Sequence, residues 1–360
     1  MGTLQYSGAF LFLYISILNT KVFMSEKHYY SISTKGKIST VGSLDELLKN
    51  RKTGEFSWID YYLPSRDELS MLIEPFEIHP LTVEDCTDEN FVPKIEEYPR
   101  NTFIIMNSFT YSNSELSIDE VDFIIGDNYL ITVSGFKSDG RKPLNGIDML
   151  IAREIDNVKH GPAFLLQVIM DNVVDKKFIA IEALENKLDD LEDQLLSNPS
   201  GFDPSELVHI RRQLLTIRKS LFHEREILIK ICRKDCQFIS DKAIFHFRDI
   251  YDHLSKFFEL TESYRDIVTS LMEMHMSMLN NLMTKNSNKT NRSVRRLTLI
   301  STIFMPLTLL AGIGGMSEWS MMTGQSNWRI AYPLFLMGMV CIAALNYLIL
   351  KIMESRDSQK

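Results

Sequence analysis

Seven residues near the end of the chain, Asn291, Val294, Thr298, Ser301, Met305, Thr308 and Gly312, follow one another at alternating steps of three and four. That rhythm puts all seven on one face of a helix. The Asn, Ser and Thr side chains bring oxygens without a carboxylate. Such oxygens can hydrogen-bond to the water around a cation and still let it go. The neighbouring faces carry Leu299, Ile300, Ile303, Phe304, Leu307 and Leu310. In lipid, a hydroxyl stripe needs a protein or water partner. Two helices cannot enclose water, whereas several copies of one helix around an axis can. Ser, Thr and Gly also favour close helix packing in membranes. From the residues alone, a water-lined axis and a packing seam stand level.

The stripe sits in the first of two apolar segments, Leu297 to Met316 and Ile330 to Ile352. Each has about 20 residues, enough to cross a ~30 Å hydrocarbon core as a helix. The apolar body of each lacks charge, so hydropathy predicts two transmembrane helices. Arg292, Arg295 and Arg296 precede the first span, Lys351 stands at the end of the second and Arg356 beyond it, while the link from Ser317 to Arg329 holds Arg329 as its one basic residue. The positive-inside rule then places the soluble part and the C-terminus in the cytoplasm, and the N-terminus with them if residues 1–23 do not span.

The rest of the 360 residues is soluble in character. Mean hydropathy is −0.07, and the net charge of −8 argues against nucleic acid as a partner. Four cysteines, Cys86, Cys232, Cys236 and Cys341, give no disulfide framework. Cys232 and Cys236 have the spacing to touch a metal, but a closed zinc site needs two more ligands, so ordinary thiols are the simpler reading. Ala9 to Leu18 is apolar but short, with no preceding Lys or Arg, which makes a poor signal peptide. Residues 1–23 read as a dispensable extension upstream of Met24.

Residues 24–160 predict a cytoplasmic α+β domain. YYSIS and KISTV flank Lys35-Gly36 as a hairpin. FSWIDYYL is a strand ended by Pro64, and Ser65 with Glu68 forms a capping box for a helix through Ile73. Asn101 to Phe109, Ser117 to Ile125 and Asn128 to Val133 predict three more strands in a mostly antiparallel sheet. Residues 161–296 are helical. One helix covers Phe164 to Leu196, a second opens at Pro204 and runs to about Cys236. A third starts near Asp241 and meets no Pro or Gly before Pro306, so a stalk can run directly into the first span (297–316). The link (317–329), the second span (330–352) and a tail (353–360) follow. Glu182, Glu185, Asp189, Asp190, Glu192 and Asp193 form an acidic run, read as a solvated face or as a collector of hydrated cations. No nucleophile–base motif, P-loop or Rossmann fingerprint appears, so the chain does not read as an enzyme.

Three segments together resemble the CorA-type divalent-cation transporters. They are TIFMPLTLLAGIGGM with a second span containing Tyr332-Pro333; IHPLTVEDC followed by VPKIEEY; and FRDIYDH, Phe247 to His253. The resemblance covers roughly Met24 to Lys351. It implies a homopentamer in the cell membrane, with a funnel of stalk helices and five copies of the first span around a pore. It implies Mg2+, Co2+ and Ni2+ as cargo and no cofactor. It further implies that Mg2+ acts as a regulatory ligand at Glu84, Asp85 and Asp249, closing the pore from the cytoplasm. Zinc-transporting relatives share this architecture, so zinc transport, proton-coupled or not, is the alternative, and a non-conducting Mg2+ sensor is another. At the pore mouth the family carries Gly-Met-Asn, and this chain has Gly315-Met316-Ser317 followed by Glu318. A Ser ring is wider and shorter in reach than an Asn ring, and five copies of Glu318 form an acidic ring that attracts cations. On the same reading Met305 and Val294 are apolar narrowings able to gate by dewetting.

Overall fold

The computed structural model describes residues 25–49, 54–88, 92–135, 141–315, 324 and 327–357. The extension over residues 1–23 and the mouth residues Met316, Ser317 and Glu318 lie outside the described residues. The chain divides into two units, one ending at Glu273 and one beginning at Met274. That division falls inside a helix.

The first unit is built on a seven-stranded sheet of order β2-β1-β3-β7-β6-β5-β4. Its strands are β1 (Glu26–Ser33), β2 (Lys37–Val41), β3 (Glu55–Tyr62), β4 (Lys94–Glu97), β5 (Thr102–Ser112), β6 (Glu115–Gly126) and β7 (Tyr129–Ser134). The β1–β2 hairpin turns where expected, with Gly36 at φ 81° as a tight left-handed turn requires. All neighbouring strands pair antiparallel except β3 and β7, which are parallel. Helices cover both faces, so β7 and β5 from Thr102 to Phe109 are wholly buried and read as continuous runs rather than alternating ones.

On one face lie short helices α1 (Leu44–Lys49), α2 (Arg66–Ser70), α3 (Ile73–Phe76) and α4 (Pro80–Asp85). Their Leu69, Leu72, Phe76 and Val83 share a core with Ile59, Phe103, Ile105 and Ile131 of the sheet. The Ser65–Glu68 capping box is present. The helix it starts ends at Ser70 instead of reaching Ile73, and α3 follows separately. Pro75 explains the break: it has no N–H to give the Met71 carbonyl one turn earlier. Two further short helices, α5 (Ile147–Arg153) and α6 (Ile155–Val158), lead to α7 (Pro162–Ser197), which packs on the other face. Next comes α8 (Ser205–Cys232), ending four residues before Cys236, where the chain turns through Lys234 at φ 67°.

The β5 edge is closed by side chains where β4 stops. β4 pairs no further along β5 than Ile105. Two residues on, the Asn107 N–H donates to Glu224 Oε1 on α8 at 2.9 Å, and the Asn107 carbonyl accepts from Lys177 Nζ on α7. Lys177 and Glu224 meet at 2.7 Å with both side chains fully buried. Asn107 Nδ2 also donates to Ser220 Oγ at 2.8 Å. The ion pair thus takes the place of the missing strand, giving the buried edge one donor and one acceptor.

Helix α9 (Asp241–Gly314) is continuous for 74 residues, as the absence of Pro and Gly before Pro306 predicts. In the first unit it buries Phe247, Ile250, Leu254, Val268 and Leu271, and Phe257 stacks on Phe178 of α7 at 5.6 Å. In the second unit its remainder and α10 (Trp328–Asp357) are, among the described residues, the two helices long and apolar enough to cross a membrane.

Candidate functional site

The first acidic motif is assembled by local chemistry. Glu77 takes a left-handed conformation at φ 50°, and the next segment opens α4. His79 caps α4 by accepting the Leu81 N–H on Nδ1 at 3.2 Å, and Pro80 fills the first turn, where a missing N–H costs nothing. The helix then delivers Glu84, exposed, and Asp85, half-buried. Cys86 drops into the core behind them. Lys94 of β4 reaches Asp85 Oδ2 at 2.8 Å and Glu96 Oε1 at 2.9 Å. Tyr98 donates to Glu96 Oε2 at 2.7 Å and stacks on His79 with ring centres 5.0 Å apart. The two sequence motifs, HPL-x-x-ED and PK-x-E-x-Y, are therefore one polar assembly. Burial pushes the Glu96 carboxyl up, but its bonds from Lys94 and Tyr98 outweigh this and bring it down. Beneath the motif, burial and the adjacent Glu120 raise the Asp122 carboxyl well above its ordinary range.

The second acidic motif belongs to a different cluster. Asp249 and His253 stand one turn apart on α9, opposite Asp171 and Asp175, one turn apart on α7. Asp171, Asp175 and His253 each bring a ligand atom within 4.8 Å of the others, and no other such group of three forms among the described residues. Asp171 Oδ1 and His253 Nδ1 are both buried and lack a protein hydrogen-bond partner. The Asp171 carboxyl is raised to about 6, by burial first and then by Asp175, with Asp249 and Glu154 adding to the effect and His253 opposing it. Orphaned ligand atoms and mutually repelling carboxylates are the electrostatic situation a bound cation relieves. The charge set suits a hard divalent ion, and the imidazole also admits a softer one.

Within one chain, then, Asp85 sits with Lys94 beside an exposed Glu84, while Asp249 sits with Asp171. Sequence reasoning misses Asp171, Asp175 and His253 as ligands. Their signal is the matched four-residue spacing on two helices, Asp171/Asp175 and Asp249/His253. The Cys232 and Cys236 thiols are both raised by burial, Cys236 to about 12. The acidic run from Glu182 to Asp193 is mostly exposed, and Lys187 within it pairs with Glu206 at 2.8 Å instead.

On α9, Asn291, Val294, Thr298, Ser301, Met305, Thr308 and Gly312 are all exposed in the single chain, Met305 by 73%. The threonine hydroxyls are already committed. Thr298 donates to the Val294 carbonyl at 2.9 Å and Thr308 to that of Phe304 at 2.8 Å. A hydroxyl that has given its hydrogen to the helix presents only lone pairs outward. Water bound to a cation turns its hydrogens outward. At Thr298 and Thr308 the stripe therefore offers acceptors where a hydrated cation offers donors. Pro306 leaves the Thr302 carbonyl without its helical donor, a point where the helix can bend. Gly315 closes the described part of the segment.

These features define a membrane protein: an α+β unit with two acidic clusters, and a pair of apolar helices, the first bearing an acceptor stripe. Residues 53–351 match the family described as CorA-like Mg2+ transporter protein. The chain belongs to that family. It is 30% identical over 351 residues to the cobalt/magnesium transport protein CorA of Thermotoga maritima, covering 96% of this chain and 94% of that one. It is 22% identical to the zinc transport protein ZntB of Pectobacterium carotovorum, over 81% of this chain and 84% of that one. The structure of the CorA magnesium transporter from Methanocaldococcus jannaschii superposes with a TM-score of 0.67 at 22% identity, covering 91% of this chain and 98% of that one, which establishes the shared fold.

Proposed function

We propose that this protein is a homopentameric channel that admits divalent cations, chiefly Mg2+ and also Co2+ and Ni2+, and that cytoplasmic Mg2+ closes it. The observation that carries the reading is the acceptor stripe on one face of a membrane-spanning helix in a chain of this family. Five copies around an axis give rings of oxygen at Asn291, Thr298, Ser301 and Thr308. Mg2+ gives up its water reluctantly, and these rings bind the water rather than the metal, so the ion moves with its shell. Met305 and Val294 form the apolar constrictions. At the mouth, Gly315 and Met316 set the approach, Ser317 contacts the hydration shell, and Glu318 concentrates cations. The membrane potential supplies the drive, about 4.6 kcal/mol for a divalent ion per 100 mV. Both termini lie in the cytoplasm of a cell membrane on the charge rule, so the acidic clusters meet internal ions.

Regulation follows from the two clusters. Glu84 and Asp85 of one copy face Asp249, Asp171 and Asp175 of the next, and a cation between them cancels their repulsion and holds the copies in the closed arrangement. Zinc is the second reading, favoured by His253, because imidazole suits zinc better than it suits Mg2+. No catalysis and no cofactor enter either reading.

Liposomes containing the purified protein test this directly. Mg2+ entry faster than Zn2+ entry, with no accompanying proton movement, is the expected result. Zn2+ entry coupled to acidification would establish the zinc reading, and no flux of either ion would leave only a sensor. Cysteine at Thr308 should be blocked by a water-soluble thiol reagent, and cysteine at Leu307, on the adjoining face, should not.

A further inference from the structure

The part of α9 that approaches the membrane carries an unusual charge pattern. From Met274 to Ser317 the sequence has no Asp or Glu, but it has Lys285, Lys289, Arg292, Arg295 and Arg296. Four of these, Lys285, Lys289, Arg292 and Arg296, follow at steps of four, three and four, which is again a single helix face. Within α9 all four are exposed. At about 100° per residue, their mean direction lies about 180° from that of the Asn291–Gly312 stripe. The helix is therefore two-faced where it enters the membrane, with neutral acceptors on one side and positive charge on the other.

Axial position adds a second constraint. At about 1.5 Å per residue, Arg296 and Arg292 lie about 1.5 and 7.5 Å below Leu297, the first residue of the apolar span. That is within the headgroup layer, roughly 5–8 Å deep on each side of the hydrocarbon. Lys289, one turn further, lies within about a Debye length of that layer. The long Lys and Arg stems let their charged heads rise to the phosphates. Lys351, at the end of the second apolar segment, adds positive charge at the corresponding end of α10. Nothing acidic between Met274 and Ser317 is available to neutralise the face.

We propose that the Lys285–Lys289–Arg292–Arg296 face of α9 binds the phosphate headgroups of anionic lipids, and that these lipids form part of the working assembly. The proposal rests on the reading of the first apolar segment as membrane-spanning. It does not require that the protein conduct. The chemistry is charge-assisted hydrogen bonding of guanidinium and ammonium to phosphate. Because the basic face is turned away from the acceptor stripe, the lipids would sit outside any central axis and would not compete with ions there. They would also relieve the repulsion among four like charges per chain, which grows as copies assemble.

The test uses the full chain in detergent micelles equilibrated with equal amounts of phosphatidylglycerol and phosphatidylcholine, with retained lipid counted by native mass spectrometry. The expected result is roughly a thirtyfold preference for phosphatidylglycerol, the equivalent of ~1 kcal/mol for each of Arg292 and Arg296 in the headgroup layer. The preference should fall as salt is raised. The variant Lys285→Gln, Lys289→Gln, Arg292→Gln, Arg296→Gln should retain both lipids equally, and Arg292→Lys, Arg296→Lys should keep most of the preference. Equal retention by the unaltered protein overturns the proposal, as does a preference that survives the four Gln substitutions. If the Gln variant fails to assemble, a salt-insensitive preference in the unaltered protein overturns it as well. Assembly that depends on salt without any lipid preference would show that an acidic segment of another copy covers the face instead. A protein that retains phosphatidylglycerol but conducts no ion would sink the channel reading and leave this one standing.

Discussion

Asp171→Asn should change stability in opposite directions with and without divalent cations. In the absence of metal, Asp171 is a half-buried carboxylate beside Asp175 and Asp249, and its carboxyl is raised from 3.8 to about 6. A raised carboxyl means that the folded state holds its proton more tightly than the unfolded chain. Its contribution to stability is present below about pH 4 and is lost as pH rises through about 6. At pH 7.5 the shift of about two units corresponds to ~3 kcal/mol, and solvent screening at this depth reduces it to about 1–2 kcal/mol. Asn keeps the shape and cannot ionise, so the metal-free variant should be more stable by about that amount. With Mg2+ present the sign reverses. A cation at about tenfold its dissociation constant stabilises the original protein by about 1.4 kcal/mol, and the Asn variant forfeits most of that by removing a charged ligand. Thermal unfolding in EDTA and in excess Mg2+ measures both terms. The midpoint should rise by a few degrees in EDTA, and the Mg2+-induced increment should shrink. A variant less stable than the original in EDTA would refute the electrostatic argument, and an unchanged Mg2+ increment would remove Asp171 from the cation site.

Other expectations follow from the same reasoning. Lys177→Gln leaves Glu224 buried without its cation and should cost about 3–5 kcal/mol, whereas Lys177→Gln with Glu224→Gln restores a neutral donor and acceptor for Asn107 and should recover much of it. A double variant no more stable than Lys177→Gln alone in thermal melts would show that charge, not edge hydrogen bonding, is what the pair supplies. Asp60, half-buried in β3 and bonded by Thr132 at 2.6 Å, is raised to about 6 chiefly by desolvation. Asp60→Asn should therefore stabilise the protein by about 1–3 kcal/mol at pH 8 and by little at pH 4, as melts at the two pH values would show. At the mouth, Ser317→Asn should shift ion preference toward Mg2+ in flux assays. Glu318→Gln should lower flux most at low ionic strength, where an acidic ring concentrates cations best. Unchanged flux and selectivity in both would place the selectivity determinant elsewhere.

How far the sequence can be read depends on which interactions are local. The hairpin at Gly36, the capping box at Ser65 and the uninterrupted α9 are written in neighbouring residues, and all three are present. The parallel contact of β3 with β7 is set by packing across about 70 residues of chain, and no local pattern announces it. Strand β4 escapes a sequence reading because KIEE lacks apolar alternation: it is a strand by virtue of the β5 edge it covers and the Lys94 it presents to Asp85. Asp249 is reached through a motif, but Asp171 and Asp175 are hidden inside an amphipathic helix, where an acid is normally read as facing solvent. The contact of α7 with α9 is what turns those two spacings into one cluster.

The Lys94 ammonium has a further consequence for the proposed sensor. It already occupies a coordination position on Asp85, and it is tethered, so dilution never removes it. An incoming metal ion must displace or share this resident cation. A competitor fixed in place weakens the apparent grip of the proposed site, so that a cation would displace it only at a higher concentration. It also keeps Asp85 neutralised when that ion is scarce, so the empty site waits without tearing at its own scaffold. Lys94→Met would then make the sensor answer at a lower concentration while making the resting protein less secure, exchanging set point against calm.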